Sequence, residues 1–104
     1  MATQAKLSDY GISVGTLPSG PLGKISDVPG VTVGHCTVDT QTQKTGVTVV
    51  MPCADDMFAQ KLPAAACVLN GFGKTAGLVQ IGELGTLETP IALTNTLNVG
   101  LVYD

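Results

Sequence analysis

Val68-Leu-Asn-Gly-Phe-Gly-Lys74, followed by Glu83-Leu-Gly-Thr-Leu-Glu-Thr-Pro-Ile-Ala-Leu-Thr-Asn-Thr-Leu-Asn-Val-Gly100, carries the reading of this chain. Each stretch runs from apolar residues into a turn rich in glycine, amide and hydroxyl groups. Turns of that kind mount binding groups on a rigid scaffold. In the first, Asn70 offers a donor and an acceptor, Gly71 and Gly73 permit close backbone approach, and Phe72 is a large apolar side chain between them. A tight turn with Phe72 packed inward would use the same residues, so pocket wall and structural turn both stand. In the second, Thr94, Asn95 and Thr96 place three small polar side chains where a strand gives way to a helix. They suit ligand or oxyanion contacts, and equally helix capping. Glu83 and Glu88 are candidates for binding a substrate amine, or are solvated carboxylates.

Outward from these turns, the pattern is mixed α+β. Val31–Val38 and Thr45–Met51 alternate and are β-branched, which predicts two strands joined by a polar hairpin loop over Asp39–Lys44. Ala64–Leu69 reads as a third strand, continuously apolar and so covered on both faces. Leu78, Ile81 and Leu84 fall at helical spacing, with Gly85 as the stop. Pro90–Asn95 reads as a further strand. Thr96 or Asn98 is placed to cap a helix opening at Gly100–Asp104. Ile25–Gly30 is expected to be extended, ending in a Pro29-Gly30 type II turn. The Cys53–Lys61 connection has room for one helical turn near Asp55–Phe58. Residues 1–15 read as a flexible start, and residues 16–104 as one domain portion without a linker.

Composition sets the outer limits. The 104 residues include only 12% charged side chains, against about 25% in soluble domains. Such a chain has too little polar surface for a self-sufficient globule, and its faces call for cover by other polypeptide. The net charge of −3 and the absence of a basic cluster argue against nucleic acid and anionic membrane surfaces. The apolar runs are far shorter than the ~20 residues a spanning helix needs. Cys36, Cys53 and Cys67 are an odd set without CxxC spacing, expected as reduced, buried thiols of a cytoplasmic protein. His35 is the single histidine, too little for a metal site or a Ser-His-Asp triad. Gly73-Lys74-Thr75 ends like a phosphate loop, but Val68 stands where its first glycine belongs. No catalytic nucleophile, metal or cofactor is assigned.

In order, Ile25-Ser-Asp-Val-Pro-Gly-Val-Thr-Val-Gly-His35, Thr45-Gly-Val-Thr48, Lys61-Leu-Pro-Ala-Ala65, Leu69-Asn-Gly-Phe-Gly-Lys74, Glu83-Leu-Gly-Thr-Leu-Glu-Thr-Pro-Ile91 and Leu93-Thr-Asn-Thr-Leu97 resemble the N-terminal region of the DmpA-type aminopeptidases, peptidase family S58. The resemblance covers the chain from about Gly15 onward. It implies part of a four-layer αββα sandwich of the self-processing N-terminal-nucleophile type. It implies a precursor that cuts itself into α and β polypeptides, the freed N-terminal serine attacking small peptides, amides or esters. It further implies no cofactor and a homo-oligomer of αβ units. On that resemblance this chain belongs to the α polypeptide, and its partners are the rest of that polypeptide and the β polypeptide. The nucleophile and the oxyanion donors fall beyond it. A non-catalytic scaffold or interaction subunit with the same framework is the alternative.

Overall fold

The computed structural model describes residues 5–104. Two antiparallel sheets and two short helices make up an α+β chain. The first sheet has strand order β1-β2-β5, with β1 at Thr32–Asp39, β2 at Lys44–Met51 and β5 at Ile91–Leu93. β1 and β2 pair from Thr32↔Met51 to Asp39↔Lys44, so the two ends of the expected hairpin loop form the last rung, tied by a Lys44–Asp39 ion pair. The loop itself is four residues. The Thr40 hydroxyl accepts the Thr42 and Gln43 amides at 3.3 and 2.9 Å, an arrangement open to a short hydroxyl side chain. β5 closes on the other edge of β2 through Thr48↔Leu93, Val49↔Ala92 and Val50↔Ile91.

β2 is the central strand because it can be close-approached. A Cβ at Gly46 would collide with the Cys36 carbonyl oxygen on β1, so only glycine fits that rung. From Gly46 to Met51 every residue is at least half-buried, and Val50 is 8% exposed. After β2, the Asp56 carboxylate accepts the Phe58 and Ala59 amides, and the Gln60 amide donates to the Asp56 carbonyl at 2.9 Å. This is the single helical turn expected in the connection. It turns Met57 inward, at 5% exposure. Val50 and Met57 are the only buried hydrophobic side chains among the described residues, and neither is fully sealed from solvent.

The second sheet is a ribbon of β3, Leu62–Pro63, and β4, Thr86–Leu87, paired Leu62↔Leu87 and Pro63↔Thr86. The Ala64 amide extends the pairing by donating to the Gly85 carbonyl at 2.9 Å. The expected strand over Ala64–Leu69 is therefore displaced. Its pairing is confined to its start, and Val68 and Leu69 are 67% and 97% exposed rather than covered on both faces. Its apolar character is plain in the sequence, but beyond Ala64 its residues stay exposed among the described residues.

Helix α1, Leu78–Leu84, has the bounds its periodicity implies. Gly85 ends it at φ +65°, its amide returning to the Ile81 carbonyl, and the chain enters β4 at once. After β5, a 3-10 turn over Thr96–Asn98 runs into α2, Val99–Tyr103. The cap of this segment is Asn95, whose Oδ1 accepts the Leu97 and Asn98 amides, both at 3.1 Å. Thr96 and Asn98, the expected caps, do not perform that role, because the helical turn starts one residue earlier than the apolar pattern suggests.

Upstream, Ile25–Asp27 is a 3-10 turn and not extended. The Asp27 carboxylate gathers the Leu22 and Lys24 amides and folds the segment back on itself. The Pro29-Gly30 turn is present, with Gly30 at φ +86° and the Val31 amide donating to the Val28 carbonyl at 3.1 Å. The expected flexible start overlaps residues 1–4, which lie outside the described residues. Leu7–Tyr10 forms a 3-10 turn whose preceding Lys6 donates from Nζ to the Leu22 carbonyl at 3.2 Å. Cys36 and Cys67 are exposed and Cys53 is half-buried, all three free. The thiols are unpaired as expected, but two of them lack the predicted burial.

The left-handed conformation at Gly85 gives a direct test. Gly85→Ala puts a Cβ where the backbone disfavours one, and is expected to cost about 1 kcal/mol in chemical denaturation. Gly82→Ala, inside α1 and free of neighbours, should be neutral or stabilising in the same assay.

Candidate functional site

The helix–glycine–strand unit creates a shallow concavity. A cleft of about 160 Å³ lies between the start of α1 and residues 86–92. Leu78, Ile81, Leu87 and Ile91 supply apolar walls, and Gln80 and Glu88 are its main polar groups.

Glu88 sits where it does because of ribbon register. Continuing the Leu62↔Leu87 pairing by one rung places Lys61 opposite Glu88. The two form an ion pair at 2.6 Å, with side chains 37% and 21% exposed. Lys61 also donates to the Phe58 carbonyl at 2.9 Å and lies 4.3 Å from the Phe58 ring centroid. From the other side, Gln80 Nε2 on α1 donates to Glu88 Oε1 at 2.8 Å. The Lys61 hydrogen bond, then that of Gln80, hold the Glu88 carboxyl below the usual glutamate range, with desolvation opposing them. A carboxyl lowered in the fold stabilises it above the ordinary glutamate pKa and loses that contribution as pH falls through the lowered value. The network is therefore intact at neutral pH.

The residues singled out in the sequence are distributed differently. Asn70 accepts the Phe72 amide at 3.0 Å, an Asx turn that presents Phe72 outward at 86% exposure. Gly71 has open space where a side chain would stand, and a Cβ at Gly73 would meet only the Asn70 carbonyl oxygen, at 3.9 Å. Asn95, besides capping, donates from Nδ2 to the Thr45 hydroxyl at 3.1 Å. That bond fastens the Thr94–Thr96 turn to the start of β2. No hydrogen bond joins the Asn70–Gly73 and Thr94–Thr96 turns among the described residues, and neither turn lines the cleft. Glu83 is exposed on α1 and its side chain has no hydrogen-bond or ion-pair partner among the described residues. Of the two glutamates, Glu88 alone reaches the cleft.

His35 Nδ1 is 2.8 Å from the Thr48 hydroxyl, directly across the β1–β2 ladder. Among the described residues no group of three His, Cys, Asp or Glu is arranged to hold a metal, and no helix is long and apolar enough to cross a membrane. Sequence reasoning missed Lys61 and Gln80. Their signal is the ribbon register, which two-residue strands are too short to announce.

Comparison with known proteins places this geometry. Residues 23–104 match the model of peptidase family S58. The chain is 38% identical to the beta-peptidyl aminopeptidase BapA of Sphingosinicella xenopeptidilytica over 92% of its length, and 32% identical to BapA of Sphingosinicella microcystinivorans over the same share. In each case it spans 26% of the relative. Among solved structures it superposes with a TM-score of 0.84 on the PH0078 protein of Pyrococcus horikoshii OT3, at 42% identity over 92% of this chain and 30% of that one. The TM-score is again 0.84 for a Burkholderia sp. beta-aminopeptidase, at 44% identity over 94% and 29% of the two chains. With the match extending from Gly23 to Asp104, the chain belongs to peptidase family S58.

Proposed function

We propose that this chain is the N-terminal part of a self-processing aminopeptidase or amidase. In that reading it supplies scaffold and pocket wall, and the nucleophile comes from further polypeptide. The observation that carries it is family membership over residues 23–104, alongside relatives named as β-peptidyl aminopeptidases. The whole enzyme would hydrolyse N-terminal residues of small peptides, amides or esters through an acyl-enzyme. A serine freed at a new N-terminus carries its own base, because an α-amine titrates near ~8 and can accept the hydroxyl proton at neutral pH.

The exposed surface supports the need for further polypeptide. The chain presents 8919 Å² to solvent, against about 5,500 Å² for a compact protein of this size. Its radius of gyration is 16.2 Å, against about 13 Å. Leu69, Phe72, Val79, Leu97 and Leu101 are each more than three-quarters exposed. Those faces suit burial in a four-layer αββα sandwich, with the remaining α polypeptide and the β polypeptide as partners and αβ units assembling into an oligomer. The Asn70–Gly73 and Thr94–Thr96 turns are assigned to the pocket wall in that assembly. Glu83, the uncommitted carboxylate of the two, is the better placed to meet a substrate ammonium. The free thiols suit a reducing, cytoplasmic setting.

Two outcomes test this. The full-length protein is expected to separate by mass spectrometry into two polypeptides, the second beginning with serine, and to hydrolyse an aminoacyl p-nitroanilide. A full-length protein that stays uncut and inactive would favour the scaffold subunit instead. Residues 1–104 expressed alone are expected to show no hydrolysis and to self-associate in sedimentation. An active or monodisperse, cooperatively melting fragment would contradict the assignment.

A further inference from the structure

We propose that Lys61, Glu88 and Gln80 form a strut that sets the cleft between α1 and residues 86–92, and that Glu88 acts through this strut as a positioning residue. The role in positioning substrate rests on the aminopeptidase reading above; the strut does not. Gln80 and Glu88 stand on the two walls of the cleft, and their 2.8 Å hydrogen bond crosses it. Lys61 braces the bond from behind. It is held by the Phe58 carbonyl and ring, so the 53–61 connection, the β3–β4 ribbon and α1 all meet at one carboxylate.

Charge decides against Glu88 as an ammonium ligand. Its charge is already matched by Lys61 at 2.6 Å. A substrate ammonium would have to displace that cation or share the carboxylate with it, and like charges at that range repel. Losing Glu88 has a second effect. It would leave Lys61, whose side chain is 37% exposed, as an unmatched cation against the Phe58 ring, and Gln80 without its acceptor.

The experiment uses the full-length protein with Lys61→Met, Glu88→Gln and Gln80→Leu, plus the Lys61→Met/Glu88→Gln double. Melting temperatures decide the strut. Each single change at the ion pair is expected to lower Tm by about 1–3 °C, with the double no lower than the worse single. The gap between wild type and Glu88→Gln should close as pH falls through the lowered glutamate pKa. Additive losses would overturn the strut, as would a gap that survives full protonation. Kinetics decide positioning. All three single variants are expected to raise KM for an aminoacyl p-nitroanilide by a common factor of about threefold, keeping the preference for it over the N-acetylated analogue. Unchanged KM in every variant would overturn the positioning role. So would loss of the preference in Glu88→Gln with its retention in Lys61→Met, which makes Glu88 the ammonium ligand. Absence of hydrolysis in the wild type would sink the aminopeptidase reading alone, since the melting measurements still decide the strut.

Discussion

The backbone ladder through β2 joins parts of the chain far apart in sequence. β1 precedes it across a tight hairpin, whereas β5 arrives some forty residues later and pairs through three residues. The pairing is possible because Gly46 lets β1 close in on one side. On the other side the Thr45 hydroxyl receives the Asn95 amide, so the end of β5 is fastened at the β2 end remote from Val50. Backbone hydrogen bonds and polar side chains thus determine register where the hydrophobic core is small. Val50 and Met57 alone could not specify it. A sheet of three strands with one sparsely covered face gains little from burial, and its alignment has to come from groups with direction.

How far the sequence reveals this follows from the range of each signal. The hairpin, α1 and its Gly85 stop were legible because their determinants are local: alternation of β-branched residues, helical spacing, and a glycine that tolerates positive φ. The Asn70 turn was legible for the same reason. Ala64–Leu69 misled because continuous apolar character reports that a segment will be covered, and not which strand it pairs with. Asn95 and the 3-10 turn at Ile25–Asp27 misled differently. In both, a single side chain gathers two backbone amides and moves the start of a helical turn by a residue or more. The β3–β4 ribbon was invisible, since two residues per strand carry no periodicity.

The same distinction separates the two glutamates. In the sequence Glu83 and Glu88 are equivalent carboxylates within one block of apolar and glycine residues. What distinguishes them is position relative to Gly85. Glu83 precedes it and stays on the helix, facing solvent. Glu88 follows it by three residues, after the chain has reversed into β4. There it meets Lys61 from across the ribbon and Gln80 from the helix it has just left. One left-handed residue therefore converts a pair of similar side chains into a free charge and a neutralised one.

That conversion bears on the cleft. A neutralised carboxylate contributes hydrogen-bond geometry but little net field, so the cleft combines the apolar walls of Leu78, Ile81, Leu87 and Ile91 with the polar groups of Gln80, Thr86, Glu88 and Thr89. A free carboxylate on the helix contributes field without fixed geometry. On the reading proposed above, binding a small ligand with an ammonium group and an apolar side chain would use both kinds of surface. With Lys61 neutralising Glu88, Glu83 is the free glutamate of the two, exposed on α1 and outside the cleft lining. The remaining requirement is cover, because an electrostatic contact open to water on all sides is weak. The faces that expose Phe72, Val79 and Leu97 are where that cover would rest.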